Sequence, residues 1–449
     1  MKKLMVAGAC VCALGLFGDT LNVPSTDYPD IATAVAAAKD GDEVVLAKST
    51  EPYVLTAKVT LPAGVSVRGE TDDFNDVIIS GGGKLGGAFT LNNNSSVSNM
   101  TFTLFTGTVV GDAAWNGPYN IVNCRFTAIT NSSAYGASVI NQTGWGTVSR
   151  LVFDNCRLGA NNSTGLVGLG TASAVYDQLV ITNNFVQSAF ASDGNFRLIG
   201  GSGTVKNSFI GNNTLGPIRD RYLAAGNAYG PVMSSSVTLQ NCVIVNNTFV
   251  GCAAGFGAVN STGGSVKNCI ILDNGTGTEN WSKTVGSRYS YCLSTETETM
   301  NSSVEGDWGD VVAKPGELPW LPYGSKAIGA GENGGDIGRL WTPETLQCAV
   351  KADKRSYVGA ATANLLALAS EEATFAWTLV SGPATLTPDG ENATLVFNGL
   401  GTAVVRVTAT TASETATEEI AVVSTQPVYE VATAAELVEA VDAARSSPR

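Results

Sequence analysis

Seven times between residues 97 and 271 the chain returns to one short word, V-x-N-C-x-h, where h is apolar. The copies read VSNMTF (97–102), IVNCRF (121–126), FDNCRL (153–158), ITNNFV (181–186), VKNSFI (205–210), LQNCVI (239–244) and VKNCII (266–271). The repeated Asn is Asn99, Asn123, Asn155, Asn183, Asn207, Asn241 and Asn268, at spacings of 24, 32, 28, 24, 34 and 27. Between the copies lies a second apolar run after a Gly, as in YGASVI, GLVGL and FGAV. Short β-branched runs broken by Gly, Asn and Ser are strands rather than helices. A period of this length with several short strands per unit predicts a solenoid whose turns stack at ~4.8 Å. The L-x-x-L-x-L frame of leucine-rich repeats is missing, and no helical period supports an ankyrin or TPR array.

Stacked turns place like residues in columns. Asn suits such a column because it tolerates left-handed backbone and its amide can bond the Asn of the next turn. The Cys after it stacks as well, alternating with Met100, Asn184 and Ser208. A metal or thiol site is one reading of this second column. A small buried side chain at a tight corner is the other, and the acceptance of Met and Ser favours it.

Composition narrows the chemistry. The chain has no His, where ordinary usage would give about ten. That excludes Ser-His-Asp triads, Cys-His pairs and His-ligated zinc. A net charge of −13 disfavours nucleic acid and anionic membranes as partners. Residues 1–18 read as a signal peptide: Lys2 and Lys3, then the apolar run Leu4 to Phe17. A lipobox ending at Cys10 is the weaker alternative. No later run is long and apolar enough for a membrane helix. Beyond the signal, Cys124, Cys156, Cys242, Cys252, Cys269, Cys292 and Cys348 form an odd, widely spaced set that is no disulfide framework.

Three further segments carry a resemblance. STDYPDIATAVAAAKDGDEVVLA (25–47) and LPAGVSVRGE (61–70) pair an amphipathic helix and a DGD turn with a G-V-x-V-x-G rung. SKAIGAGENGGDIGRLW (325–341) has the form of a solenoid tail. With these the chain resembles secreted bacterial proteins of the pectin-lyase-like superfamily. The resemblance implies an all-β fold: a right-handed parallel β-helix over 19–341, with a helix at about Pro29 to Lys39 capping its end through Ile31, Val35 and Ala38. Period-two alternation over 373–410 resembles a bacterial Ig-like β-sandwich, placed at 342–426, with Trp377 in its core. The tail 427–449 repeats the cap word (YEVATAAELVEAVDAA) and resembles the start of a second β-helix.

Charge points to one candidate site. From 85 to 272 the bases outnumber the acids, eight to five, so this stretch alone suits an anionic glycan. Asp193, Arg197, Arg219, Asp220 and Arg221 fall in one sector of two turns, beside the long excursion 216–231 with Tyr222 and Tyr229. Asp193, Asp220 and Arg219 are the candidate catalytic residues. Arg197, Arg221, Tyr222 and Tyr229 are the candidate substrate-binding residues, since Arg forks suit carboxylates and Tyr offers a stacking face. The competing reading is a salt-bridge cluster that holds a loop. The GHG motif of β-helix polygalacturonases is impossible without His, and PIRDR (217–221) only faintly echoes a lyase arginine. No cofactor is expected; a calcium ion has no support in the residues. Three roles stay open for a secreted or cell-surface protein: a glycan-binding or adhesion scaffold, a polysaccharide lyase or glycoside hydrolase, and a structural stalk. The expected partner is a polysaccharide; oligomeric state is not legible.

Overall fold

The computed structural model describes residues 18–112, 118–131, 138–141, 146–160, 166–169, 174–188, 198–216, 236–249, 259–260, 264–275, 284–285, 288–295, 302–314, 317–338, 340–354 and 356–426. The signal segment and the 427–449 tail lie outside these. The chain divides into two compact units. The first comprises Met1–Lys206, Asn213–Thr238 and Phe249–Ala253; the second comprises Asn207–Asn212, Leu239–Thr248 and Ala254–Arg449.

The first unit is a parallel β-solenoid. Its main sheet runs Thr20–Val23, Glu43–Leu46, Ser66–Gly69, Ser96–Thr103, Tyr119–Thr127, Gly146–Asp154, Val175–Thr182 and Gly203–Lys206, each strand parallel to the next. The helix is short, Ile31–Ala37, and its N-cap Asp30 accepts a hydrogen bond from the Thr33 amide at 2.8 Å. It buries Ile31, Ala34 and Val35 and packs on Thr20–Val23 and Glu43–Leu46.

Register turns the repeat into an interior. Phe102, Phe126 and Phe153 are partners on successive strands, stacked with ring centroids 5.0 Å apart at both steps and planes tilted by only 13° and 12°. All three are fully buried, each burial contributing roughly 1.5–3 kcal/mol.

The Asn column is in fact two columns. Left-handed backbone occurs at Asn99, Asn123, Arg150, Gln178, Asn207, Asn241 and Asn268, and again at Leu104, Ala128, Asn155, Asn183, Asn212, Asn246 and Asp273. Every member of the second set lies five residues after its mate in the first. Strand register confirms it: Cys124 faces Leu151, so Arg150 rather than Asn155 continues the column of Asn123. Asn155 and Asn183 belong to the second corner, because Arg157 faces Phe185. The uneven spacings in the sequence arise from stepping between corners. The predicted amide bonds do form within a column: Asn123 Nδ2 donates to Asn99 Oδ1 at 2.9 Å, and Asn241 Nδ2 to Asn207 Oδ1 at 2.8 Å.

The second unit has parallel rungs of its own, Phe209–Gly211, Val243–Val245, Ile270–Leu272 and Leu293–Ser294. After Thr345 the pairing becomes antiparallel, except that Ser356–Val358 runs parallel to Thr415–Thr425. One four-stranded sheet runs Cys348–Ala352, Thr362–Ala369, Asn392–Phe397, Ala384–Asp389; the other runs Ser356–Val358, Thr415–Thr425, Gly401–Thr410, Thr374–Ser381. Leu365, Leu395, Phe397, Val405, Val407 and Val422 from both sheets share one core. Trp377 packs partly buried against it and donates Nε1–H to the Gly390 carbonyl at 3.0 Å.

Strand Cys348–Ala352 works on two faces, as period two requires. Cys348 and Val350 enter the core of the two sheets, while Ala349 packs with Val312, Trp320 and Leu368. Lys351, on the Ala349 face, donates to the backbone carbonyls of Trp308 and of Val311 (2.7 Å for the latter), and its Nζ lies 3.9 Å from Asp273. Burial pulls its ammonium below the usual lysine range, against the opposing pull of Asp273, Asp307 and Asp310. Burial likewise pushes the Asp273 carboxyl up.

Candidate functional site

The predicted residues Asp193, Arg197, Arg219, Asp220, Arg221, Tyr222 and Tyr229 all lie outside the described residues. The described part of the first unit presents a different strip, on the outward face of its main sheet. Inward positions such as Ile121, Phe126, Val148 and Phe153 are buried, so alternation sends Arg125, Ser149 and Asp177 outward. Ser98, Val122, Ser149, Asp177 and Lys206 stand in register across five strands.

Two ion pairs organise this face. Arg125 forks onto Asp154 of the next strand, Nε to Oδ1 at 2.9 Å and Nη2 to Oδ2 at 2.7 Å. Its Nη1 reaches Asn75 Oδ1 at 3.3 Å. The hydrogen bonds that Arg125 donates to Asp154 raise the arginine's already high pKa further. Lys206 and Asp177 are register partners 3.4 Å apart. Between these pairs stands Arg150, exposed at its left-handed corner, where φ is 54°.

A loop borders the strip. In Thr71–Asp76, the Asp72 carboxylate accepts from Asn99 Nδ2 at 3.0 Å and its carbonyl from Asn123 Nδ2 at 2.6 Å. The Phe74 carbonyl accepts from Thr101 Oγ1 at 2.9 Å. Asp76 is tied to Lys48 at 2.6 Å and to Thr71 Oγ1 at 2.8 Å, and both contacts hold its carboxyl below the usual range. The arrangement is a fixed array of amides, hydroxyls and charge pairs, suited to hydrogen-bonding a polyhydroxylated chain laid across the strands. Neither ion pair was legible in the sequence, because Arg125 and Asp154 are 29 residues apart and meet only through register.

The thiols take no part. Cys124, Cys156, Cys242, Cys269, Cys292 and Cys348 are free and buried. Burial pushes Cys124 and Cys156 up to about 12 and Cys292 up to about 11. Cys242 N donates to Cys269 Sγ at 3.3 Å, so the column holds a tight corner, as its tolerance of Met and Ser implied. Among the described residues no group of three or more Cys, Asp or Glu is arranged to hold a metal ion. No helix among them is long and apolar enough to cross a membrane.

A buried Asn ladder was missed. Asn184 Nδ2 donates to Asn213 Oδ1 at 2.9 Å, and Asn247 Nδ2 to Asn274 Oδ1 at 2.8 Å. Each also caps a strand carbonyl, Asn184 that of Phe153 and Asn247 that of Ile210. The signal lay in the doublets Asn183–Asn184, Asn212–Asn213 and Asn246–Asn247: the first Asn turns the corner, the second fills it.

No family model matches the chain, and no curated protein matches it. Among solved structures, pectate lyase Pel9A is similar at 15% identity and a TM-score of 0.38, covering 72% of this chain and 96% of that one. The A-module of the Azotobacter vinelandii mannuronan C-5 epimerase AlgE6 is similar at 13% identity and a TM-score of 0.28, covering 63% and 90%. A tailspike protein of E. coli bacteriophage HK620, in complex with a pentasaccharide, is similar at 11% identity and a TM-score of 0.25, covering 86% and 76%. At these identities and TM-scores the likenesses carry no statement of function.

Proposed function

We propose that this chain is a secreted or cell-surface solenoid that binds a polysaccharide without cleaving it, with the module at 342–426 serving as an Ig-like spacer. The observation that carries the reading is the bordered polar strip of the first unit. Its Arg125–Asp154 and Lys206–Asp177 pairs are mutually neutralised, while Arg150 stands exposed between them. Charges tied to each other in this way position a ligand and leave little free acid or base for bond cleavage.

A panel of neutral and acidic polysaccharides tests this, scored in parallel for binding, new reducing ends and unsaturated uronate absorbance. Binding without product is expected. The variant Arg150→Asn, which keeps a residue suited to the left-handed corner, should weaken binding of an acidic glycan by about tenfold, or ~1.4 kcal/mol. Product formation would replace the scaffold with a lyase or hydrolase, and its loss in Asp220→Ala would move the site to the 193–222 cluster. Silence across the panel would leave the structural stalk.

A further inference from the structure

Sheet edges expose unpaired backbone donors and acceptors, and proteins guard them with charge, proline, brevity or cover. Three of the four edges in the two-sheet module are guarded. Strand Cys348–Ala352 is covered: Ala349 packs on Val312 and Trp320, and Lys351 ties it to the carbonyls of Trp308 and Val311. Strand Ala384–Asp389 carries Pro388 and Asp389. Strand Ser356–Val358 has only three residues.

Among the described residues the fourth edge, Thr374–Ser381, has none of these protections. Its eight residues, TFAWTLVS, include no charge and no proline. Among the described residues it pairs only with Gly401–Thr410, and that ladder is regular from Thr374 to Leu379, where a bulge begins. Its core-side residues Phe375, Trp377 and Leu379 are only partly buried, as happens when a strand lacks a neighbour on one side.

We infer that Thr374–Ser381 is the pairing edge for a second copy of this chain, added antiparallel across a two-fold axis at Trp377. Three features select this occupant. A register centred on Trp377 sets Phe375 against Leu379 of the second copy and Ala376 against its Thr378. Opposed residues in an antiparallel pair share a face, so all six apolar side chains stay on the core side and cover one another. The strand is therefore complementary to itself, as an isologous contact requires. With a net charge of −13, two copies repel over most of their surface, and an uncharged strand is where they meet at least electrostatic cost. The product is one continuous sheet of eight strands, four from each copy.

Sedimentation of the full chain across the micromolar range tests this, together with hydrogen exchange of the 374–379 amides. The wild type should sediment with twice the monomer mass, and protection at 374–379 should rise with protein concentration. Replacing the two exposed residues that flank the axis, Ala376→Lys with Thr378→Lys, opposes like charges across it and should give a folded monomer whose melting midpoint and 374–379 protection do not vary with concentration. A wild type that stays monomeric throughout overturns the inference. So does a lysine variant that still dimerises, since the contact then lies elsewhere. If the lysine variant fails to fold, the wild-type exchange decides alone: amides at 374–379 that exchange independently of concentration overturn it.

Discussion

Single residues in this solenoid are chosen for corners before they are chosen for chemistry. The buried thiols illustrate this. Their pKa values are raised because a thiolate would sit in an apolar interior, so the folded state holds its thiol protons more tightly than the unfolded chain does. The sign follows: stability is fully present below pH ~9, the ordinary thiol value, and falls as pH rises from there towards about 12. Chemical denaturation midpoints should decline above pH ~9, and a Cys124→Ser variant should show a shallower decline than wild type. Iodoacetamide should label these positions only after unfolding, read by intact mass; rapid labelling of the native protein would contradict their burial. The word N-C thus marked the right residues but not their role in the sequence, since a stacked thiol and a reactive one look alike before burial is known.

At the scale of the element, the left-handed corner is the unit that repeats. Asn123 holds φ at 53° and donates to both Asn99 and the Asp72 carbonyl. Asn123→Ala loses those bonds and adds left-handed strain, a destabilisation of about 2–3 kcal/mol. Asn123→Gly loses the bonds but not the conformation, so it should cost about 1 kcal/mol less. Equal thermal shifts for the two variants would show that backbone geometry contributes nothing there. The sequence made strands, period and Asn preference legible because each is a local property. It did not separate the two corners, since Asn123-Cys124 and Asn155-Cys156 are the same dipeptide in different columns. The outward strip was equally hidden: Arg125, Asp154 and Asn75 are brought together by register and by a loop, neither of which a local window contains.

For the molecule as a whole, the second unit ties its last rungs to its two-sheet module. Lys351 is one tie beside the Val312–Trp320–Ala349 contact, with two carbonyls of the 308–311 segment on one side and Asp273 of a rung corner on the other. Lys351→Met strands those carbonyls, at about 1–3 kcal/mol. Calorimetry should then split one melting event of this unit into two, whereas an unchanged single transition would show that the tie is dispensable. Gross architecture was legible here too, through the period-two alternation over 373–410, but the tie was not, since a lone Lys in a strand looks like any surface charge.

The constant interval between the two corners has a consequence for how such a chain diverges. Five residues separate the corners in every turn from Asn99 to Asp273, although the turns themselves differ in length. All insertion and deletion is therefore confined to the remaining flank of each turn, where an added residue disturbs neither ladder. A lineage built on this plan can change its loops turn by turn, and so its ligands, while the stacking frame is inherited intact.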